Sequence, residues 1–311
     1  MTRIAILGAT SQIAKDLIVS FSMEKDKDLH LFARHPNEVA NWLSSRGLSD
    51  RYPAKDFSLF AENDYNAVIN FVGAGDPIRV AAMGNSILDI TLQFDNLVLE
   101  YLKRHPDCRY LFLSSGAAYG SEFNEPANRN TPAVVAINNP EPHHWYGVAK
   151  LFAECRHRIH PELSIIDIRI FNYFSRTQNI SARFLITDIL RAIRDNTVLR
   201  TSPDNIVRDF LHPVDFHALI CALLAAPFSN TAVDCYTRAP IEKANLLAAM
   251  QENFGLKFEI GGPSANINAT GNKPNYYSLN THAAGFGYCP ALTSLEGILI
   301  ESTALFQAGN R

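Results

Sequence analysis

Short apolar runs alternate with helix-like segments through residues 1–172, and that alternation leaves the chain few ways to fold. Arg3 to Gly8, Leu29 to Ala33, Ala67 to Val72, Tyr110 to Leu113 and Ser164 to Ile170 read as buried strands. Between them Ile13 to Met23, Ile87 to Leu102 and Tyr146 to His160 read as helices, with Ile13, Leu17, Ile18 and Phe21 on one face of the first. The repetition predicts an α/β fold, a doubly wound parallel sheet with right-handed crossovers. After Asn172 the rhythm changes. Helices are expected over Ala182 to Arg194, Val214 to Ala226, Glu242 to Phe254 and about Ser294 to Gln307, with a further segment around Val207 to Phe210. Gly261 to Asn272 carries no charge and reads as loop. Residues 1–172 then form the sheet domain, and 173–311 a smaller C-terminal lobe with some segments returning to the sheet.

A length of 311 residues suits two domains of roughly 150 residues each. Apolar residues make up 47% and charged residues 19%, which provides a sizeable core and excludes disorder and a disulfide scaffold. Lys and Arg total 28 against 31 Asp and Glu, so the basic excess of a nucleic-acid binder is missing. The five cysteines lie far apart, with no CxxC and no metal-like pairing with histidine, and predict free thiols without a metal centre. Lys15 and Asp16 arrive too early for a secretory signal, and the best apolar helix, Ala218 to Ala226, is about half the ~20 residues of a bilayer span. These features predict a cytoplasmic protein with no membrane contact, in which the sequons at Asn179 and Asn268 are chance matches.

The first strand–helix junction reads Gly8-Ala-Thr-Ser-Gln-Ile-Ala14. A phosphate-binding turn needs a glycine for the tight bend, close backbone approach, and a helix N-terminus aimed at the anion. Gly8 supplies the bend and Ala14 is small enough for close helix–sheet packing. Ser11 stands where a second glycine is usual and adds a hydroxyl donor. Gly8, Thr10, Ser11, Gln12 and Ile13 are therefore the candidate contacts to a dinucleotide. The second strand ends Ala33-Arg34, with no acidic residue to bond ribose hydroxyls. A guanidinium pairs with a 2′-phosphate in a forked geometry, so Arg34 favours NADP, with NAD kept open. A solvated surface arginine is the plainer alternative.

Tyr110 to Gly120 runs from a strand into a polar turn, and Tyr146-Gly-Val-Ala-Lys150 opens a helix. The four-residue spacing puts Tyr146 and Lys150 on one helix face. A phenol is scarcely ionised at neutral pH, and a nearby ammonium lowers its pKa toward working pH. Tyr146 could then exchange a proton with a carbinol or carbonyl oxygen that Ser115 holds by hydrogen bond. Such a Tyr–Lys pair alone is common by chance on helices. Together with the turn and the serine strand it is specific.

These motifs resemble the extended short-chain dehydrogenase/reductase family, the NAD-dependent epimerase/dehydratase group that acts on nucleotide sugars. The resemblance covers nearly the whole chain: GATSQIA from Gly8, FLSSGAAYG from Phe112, YGVAK from Tyr146, RIFN from Arg169, VRDFLHPVD from Val207 and SLNTHAAGFGYCP from Ser278. It implies a Rossmann-type NAD(P)-binding domain, a substrate lobe and a homodimer formed through the Tyr146 helix and the helix before the fifth strand. It assigns catalysis to Ser115, Tyr146 and Lys150, cofactor contacts to Gly73, Ala74 and Lys150, and substrate contacts to Asn172 and Arg208, with Arg183 as a further candidate. Asp209 and Asp215 are read as structural; His143 and His144, just before Trp145, could touch substrate, with packing or the surface as the favoured reading. Relatives often carry an Arg and an Asp before the segment at Tyr276. Here Lys273 is the sole charge between Glu259 and Glu296, and could replace the missing cation.

The departures narrow the chemistry. The 4,6-dehydratases of this group carry an acidic pair after the catalytic hydroxyl residue, and the epimerase/reductase branch a cysteine; here Gly116 and Ala117 stand there and cannot titrate. Hydride transfer alone remains. The main expectation is an NADP-dependent reductase of a 4-keto nucleotide sugar. The alternative is a nucleotide-sugar 4-epimerase with NAD bound throughout, and a third class is a dinucleotide-sensing protein without catalysis.

Overall fold

The computed structural model describes residues 1–49, 51–73, 80, 82–261 and 273–309. Six strands come from the first 170 residues: β1 (Thr2–Leu7), β2 (Lys27–Phe32), β3 (Ala54–Lys55), β4 (Ala67–Asn70), β5 (Arg109–Ser115) and β6 (Ile165–Ile170). They pair in parallel in the order 6-5-4-1-2-3, and Asn230–Asp234 adds a seventh parallel strand beside β6. The order reverses between β1 and β4. The carboxyl ends of these two strands therefore flank the crevice in which such sheets hold ligands.

Each strand is where it is because its residues can be buried on both faces. Ile4, Ala5, Ile6 and Leu7 of β1 have no exposed surface. On one side, α1 (Gln12–Ser22) lays Ala14, Leu17, Ile18 and Phe21 on the sheet, beside Leu219, Ile220 and Leu223 of the later helix Pro213–Ala225. On the other side, Val98 and Leu102 of the helix Ser86–Leu102 meet Ala153 of the helix Trp145–Arg158 over Phe112. Each large side chain buried in this way contributes about 1.5–3 kcal/mol. Farther along, Leu185–Arg194, Lys243–Phe254 and Ser294–Gly309 enclose a separate core of Ile186, Ile189, Leu190, Leu246, Met250 and Ile298.

In chain order the helices are α1, α2 (Pro36–Ser45), α3 (Ser86–Leu102), α4 (Trp145–Arg158), α5 (Leu185–Arg194), α6 (Pro213–Ala225), α7 (Lys243–Phe254) and α8 (Ser294–Gly309). The expected elements are present within a few residues of their predicted bounds. Two others carry weak signals. Helix α2 buries only Val39 and Leu43, and the seventh strand lies at a sheet edge and buries only its last two residues. The expected loop from Gly261 to Asn272 lies, after Gly261, outside the described residues. Among the described residues no helix is long and apolar enough to cross a membrane.

Helix α4 is unusual in burying charge. Lys150, Glu154 and His157 lie on its inward face. His157 has no exposed surface; its Nδ1 is 2.6 Å from Asp167 Oδ1 and its Nε2 2.7 Å from Asp95 Oδ1. Burial opposes a charge on the ring, but the carboxylates of Asp167 and Asp95 outweigh it and push the His157 pKa up to about 9. A proton held in the folded state and lost from the unfolded chain stabilises the fold below the unfolded value near 6.5, and that contribution disappears as pH rises through 9. The unfolding free energy should therefore fall by about 1.4 kcal/mol per pH unit across this window. Denaturant titrations of wild type and His157→Gln should show that slope in the first and its loss in the second.

Candidate active site

The crevice begins at the β1–α1 turn. Gly8 has φ +79°, and a Cβ there would lie 2.9 Å from the Val72 nitrogen and 3.0 Å from the Phe71 carbonyl carbon. Only glycine lets the turn sit this close to the end of β4. Gly8 and Ala9 both donate to the Phe32 carbonyl, at 2.9 and 3.0 Å, which ties the turn to the end of β2. Ser11 is the extended residue before α1, and neither its side chain nor an acidic residue caps the first turn. The N–H groups at the start of α1 are left for an anion. Thr10 is exposed at the turn, and Ser11 and Ile13 are partly buried. The Gln12 side chain is engaged, donating to Ser175 Oγ at 2.9 Å, so its backbone is what remains for a ligand.

Arg34 follows β2, exposed and without an ion pair among the described residues. Gly73 lies past the end of β4, where a Cβ would come 3.6 Å from Lys150 Nζ. Ala74 lies outside the described residues. The crevice from Gly8 past Gly73 to Lys150 has the close backbone approach, uncapped helix start and side-chain-free wall that a dinucleotide needs, so the residues fit the cofactor.

Ser115 closes β5, and Tyr146 and Lys150 come from the first turns of α4. Gly147 allows this approach, since a Cβ there would lie 2.6 Å from the Ala117 carbonyl oxygen. The Tyr146 phenol faces the Ser115 hydroxyl, which favours its ionised form. The electrostatics differ from the expectation that Lys150 acidifies Tyr146. Burial raises the Tyr146 pKa, and the Ser115 hydroxyl is what opposes it. Lys150 Nζ donates to the Leu113 carbonyl at 2.7 Å and lies 5.9 Å from the Tyr146 ring centre. Burial also lowers the Lys150 pKa to about 8 despite the charges of Asp95, Glu154 and Asp167. Lys150 is not among the groups that shift the Tyr146 pKa in this arrangement.

The sequence reading missed Tyr276. Its hydroxyl is 3.2 Å from Ser115 Oγ. Its ring carries Lys273 Nζ at 4.5 Å and the Arg208 guanidinium at 5.9 Å from the ring centre. Arg208 donates to the backbone carbonyls of Val207 and Pro274, at 2.8 and 3.3 Å. Burial lowers its pKa to about 10, and burial with the charge of Arg208 lowers that of Lys273 to about 8. Among the described residues no carboxylate pairs with either cation. Two desolvated cations without a counter-ion make a candidate anion site. Lys273, the expected replacement cation, thus shares the Tyr276 ring with Arg208.

Asn172 donates weakly to the carbonyls of Asp209 and Tyr276, at 3.3 and 3.4 Å, bracing the strand that carries Tyr276. Arg183 is exposed before α5, within 4.0 Å of Asp188, and is not among the charges that shift Arg208 or Lys273. His143 and His144, expected at packing or surface positions with substrate contact as the alternative, line an open pocket with Tyr146, Ala117 and Lys273. Glu141 to His144 form a short turn that seats them there. Asp209 accepts from Thr237 and Ser294, and Asp215 from the N–H groups of Ala291 and Leu292, in agreement with structural roles.

Residues 4–236 match the family model described as NAD dependent epimerase/dehydratase family. The chain belongs to this family. Among curated members, UDP-glucose 4-epimerase 2 of Oryza sativa subsp. japonica is 36% identical over a stretch covering 37% of this chain and 27% of that protein. UDP-glucose 4-epimerase 4 of the same plant is 29% identical over 53% of this chain and 40% of that protein. The chain thus spans less than half the length of the curated relatives it matches. A UDP-glucose 4-epimerase from Bifidobacterium longum, solved with NAD+ and UDP, superposes with a TM-score of 0.78 at 19% identity over 99% of both chains. The family fold therefore extends over nearly the whole chain.

The anion site can be tested with inorganic pyrophosphate. Calorimetry should show Lys273→Met weakening its binding at least tenfold. In the wild type the affinity should fall as pH rises through about 8, where the Lys273 ammonium discharges.

Proposed function

We propose that this chain is a nucleotide-sugar 4-epimerase that works with NAD. The observation that carries the reading is the arrangement at Tyr276. The Tyr276 hydroxyl meets that of Ser115 in the electrostatic reach of Tyr146, and its ring carries the cations Arg208 and Lys273, so a sugar held at the hydroxyls would present its diphosphate to the cations. Both curated relatives above are named 4-epimerases. Dehydration is disfavoured on steric as well as chemical grounds: a Cβ on Gly116 would lie 2.5 Å from the Phe171 ring, leaving no room for an acid or a thiol.

The cofactor would be held by the Gly8–Ile13 turn, Gly73 and Lys150, and when bound its nicotinamide supplies hydride acceptance and return. The protein does the rest. Ser115 and Tyr146 hold the sugar oxygen between two hydroxyls, which orients the carbon that bears it. Tyr146 takes the hydroxyl proton as the carbinol becomes a carbonyl and gives it back on the return. Lys150, with its ammonium 5.9 Å from the Tyr146 ring centre, would be the cation beside the phenolate when the site is filled. The apolar walls of Phe123 and Phe171 around Tyr276 limit water at the oxygen. The homodimer implied by the family resemblance would form through α3 and α4, whose outer surface leaves Phe152 and Ile159 exposed.

Arg34 supports a second reading. An exposed guanidinium after β2 suits a 2′-phosphate, and an enzyme that consumes NADPH would be a 4-ketosugar reductase. The two part on turnover. Purified protein supplied with UDP-galactose should form UDP-glucose without net cofactor oxidation and release NAD on denaturation. Tyr146→Phe should lower the rate at least a hundredfold. Stoichiometric NADPH oxidation with a 4-ketosugar nucleotide, without epimerisation, would establish the reductase instead.

A further inference from the structure

On the opposite side of the sheet from α4, where α1 meets α6, Glu24, His217 and Cys221 converge. Glu24 lies in the turn after α1, and His217 and Cys221 lie four residues apart on one face of α6. The expectation that no cysteine pairs with a histidine fails here, because that spacing is a helical neighbour pair. His217 Nε2 is 2.6 Å from Glu24 Oε1, Cys221 Sγ is 3.5 Å from the same nitrogen, and Sγ is 4.0 Å from Oε1. Carboxylate, imidazole and thiol thus form a triangle, each partly buried. The ligand-binding crevice uses none of them.

We propose that Glu24, His217 and Cys221 form a binding site for a zinc-class divalent cation, with water as the fourth ligand. In tetrahedral zinc, with bonds of about 2.0 Å to nitrogen and oxygen and about 2.3 Å to sulfur, adjacent donors stand roughly 3.3–3.6 Å apart. The nitrogen–sulfur edge already matches. The other two edges reach that range with sub-ångström movements, and Glu24 lies in a turn while the helix holds the other two. Thiolate and imidazole select zinc over magnesium or calcium. Charge also balances. A carboxylate and a thiolate offset the two positive charges, and the thiol proton leaves to solvent on binding. Glu24 divides its two oxygens: Oε1 faces His217 and Oε2 faces Lys27 Nζ at 3.4 Å, so the cation need not displace the lysine from the carboxylate. The Phe21 ring meets the His217 imidazole edge-on at 5.2 Å, limiting the directions it can face. A bound ion would staple the C-terminal end of α1 to α6 and stabilise the packing of the two helices. Because the site lies at the end of α1 remote from the phosphate turn, it does not depend on the function proposed above.

The probe is cobalt(II), with zinc as competitor. The wild-type protein should bind one equivalent of cobalt with a thiolate charge-transfer band in the near ultraviolet, and zinc should abolish the band. Cys221→Ser should remove the band, and His217→Gln should weaken binding at least tenfold. Cys155→Ser and Cys289→Ser, at the two exposed thiols, should leave it unchanged. Zinc should raise the melting temperature of the wild type and not of His217→Gln, with circular dichroism confirming that each variant is folded. If Cys221→Ser fails to fold, His217→Gln carries the comparison. No band at one equivalent, or a band and melting shift that survive His217→Gln, would overturn the proposal.

Discussion

The neutralisation of charge beneath α4 is the constraint on which the active site depends, because the helix presents Tyr146 and Lys150 only while its polar face stays seated on β5 and β6. Lys150, Glu154 and His157 enter a region otherwise filled by Phe112, Tyr110 and Ile165. An uncompensated charge there would cost roughly 3–5 kcal/mol. His157 is matched by Asp95 and Asp167, and Glu154 by Ser114 and Arg169, whose guanidinium also meets Tyr119. The network leaves α4 one register on the sheet. A shift by one turn would strand several charges at once, whereas an apolar face could slide at less cost.

The crevice depends on backbone approach where α4 depends on charge. Gly8 against Phe71 and Val72, Gly147 against Ala117, and Gly116 under Phe171 are contacts no larger residue would permit. The first brings the phosphate turn to the switch point of the sheet. The second brings Tyr146 to Ser115. The third leaves no room for an acid or a thiol beside Ser115. One steric fact thus shapes both the fold and the range of chemistry.

Much of this was legible beforehand where the signal is local. The phosphate turn, the Tyr146–Lys150 spacing and the serine strand each occupy a few consecutive residues, and apolar runs placed most of the sheet. Helix α2 and the edge strand Asn230–Asp234 were not read because each buries only two residues, too few for a period to show. The electrostatics of Tyr146 were misread. Residue spacing places an ammonium near a phenol, but burial of both sets the direction of their shifts.

Local order along the chain was enough for the α/β class and for naming the Gly8 turn and Ser115, Tyr146 and Lys150 as candidates, since turn chemistry and helical spacing act between near neighbours. Tertiary structure alone decided that Tyr276, 161 residues beyond Ser115, shares its hydroxyl, that Arg208 and Lys273 are desolvated over one ring, and that Glu24 meets His217 and Cys221. These are convergences of segments far apart in sequence. Desolvation and hydrogen-bond geometry exist only once the chain has packed, and no spacing rule can report them in advance.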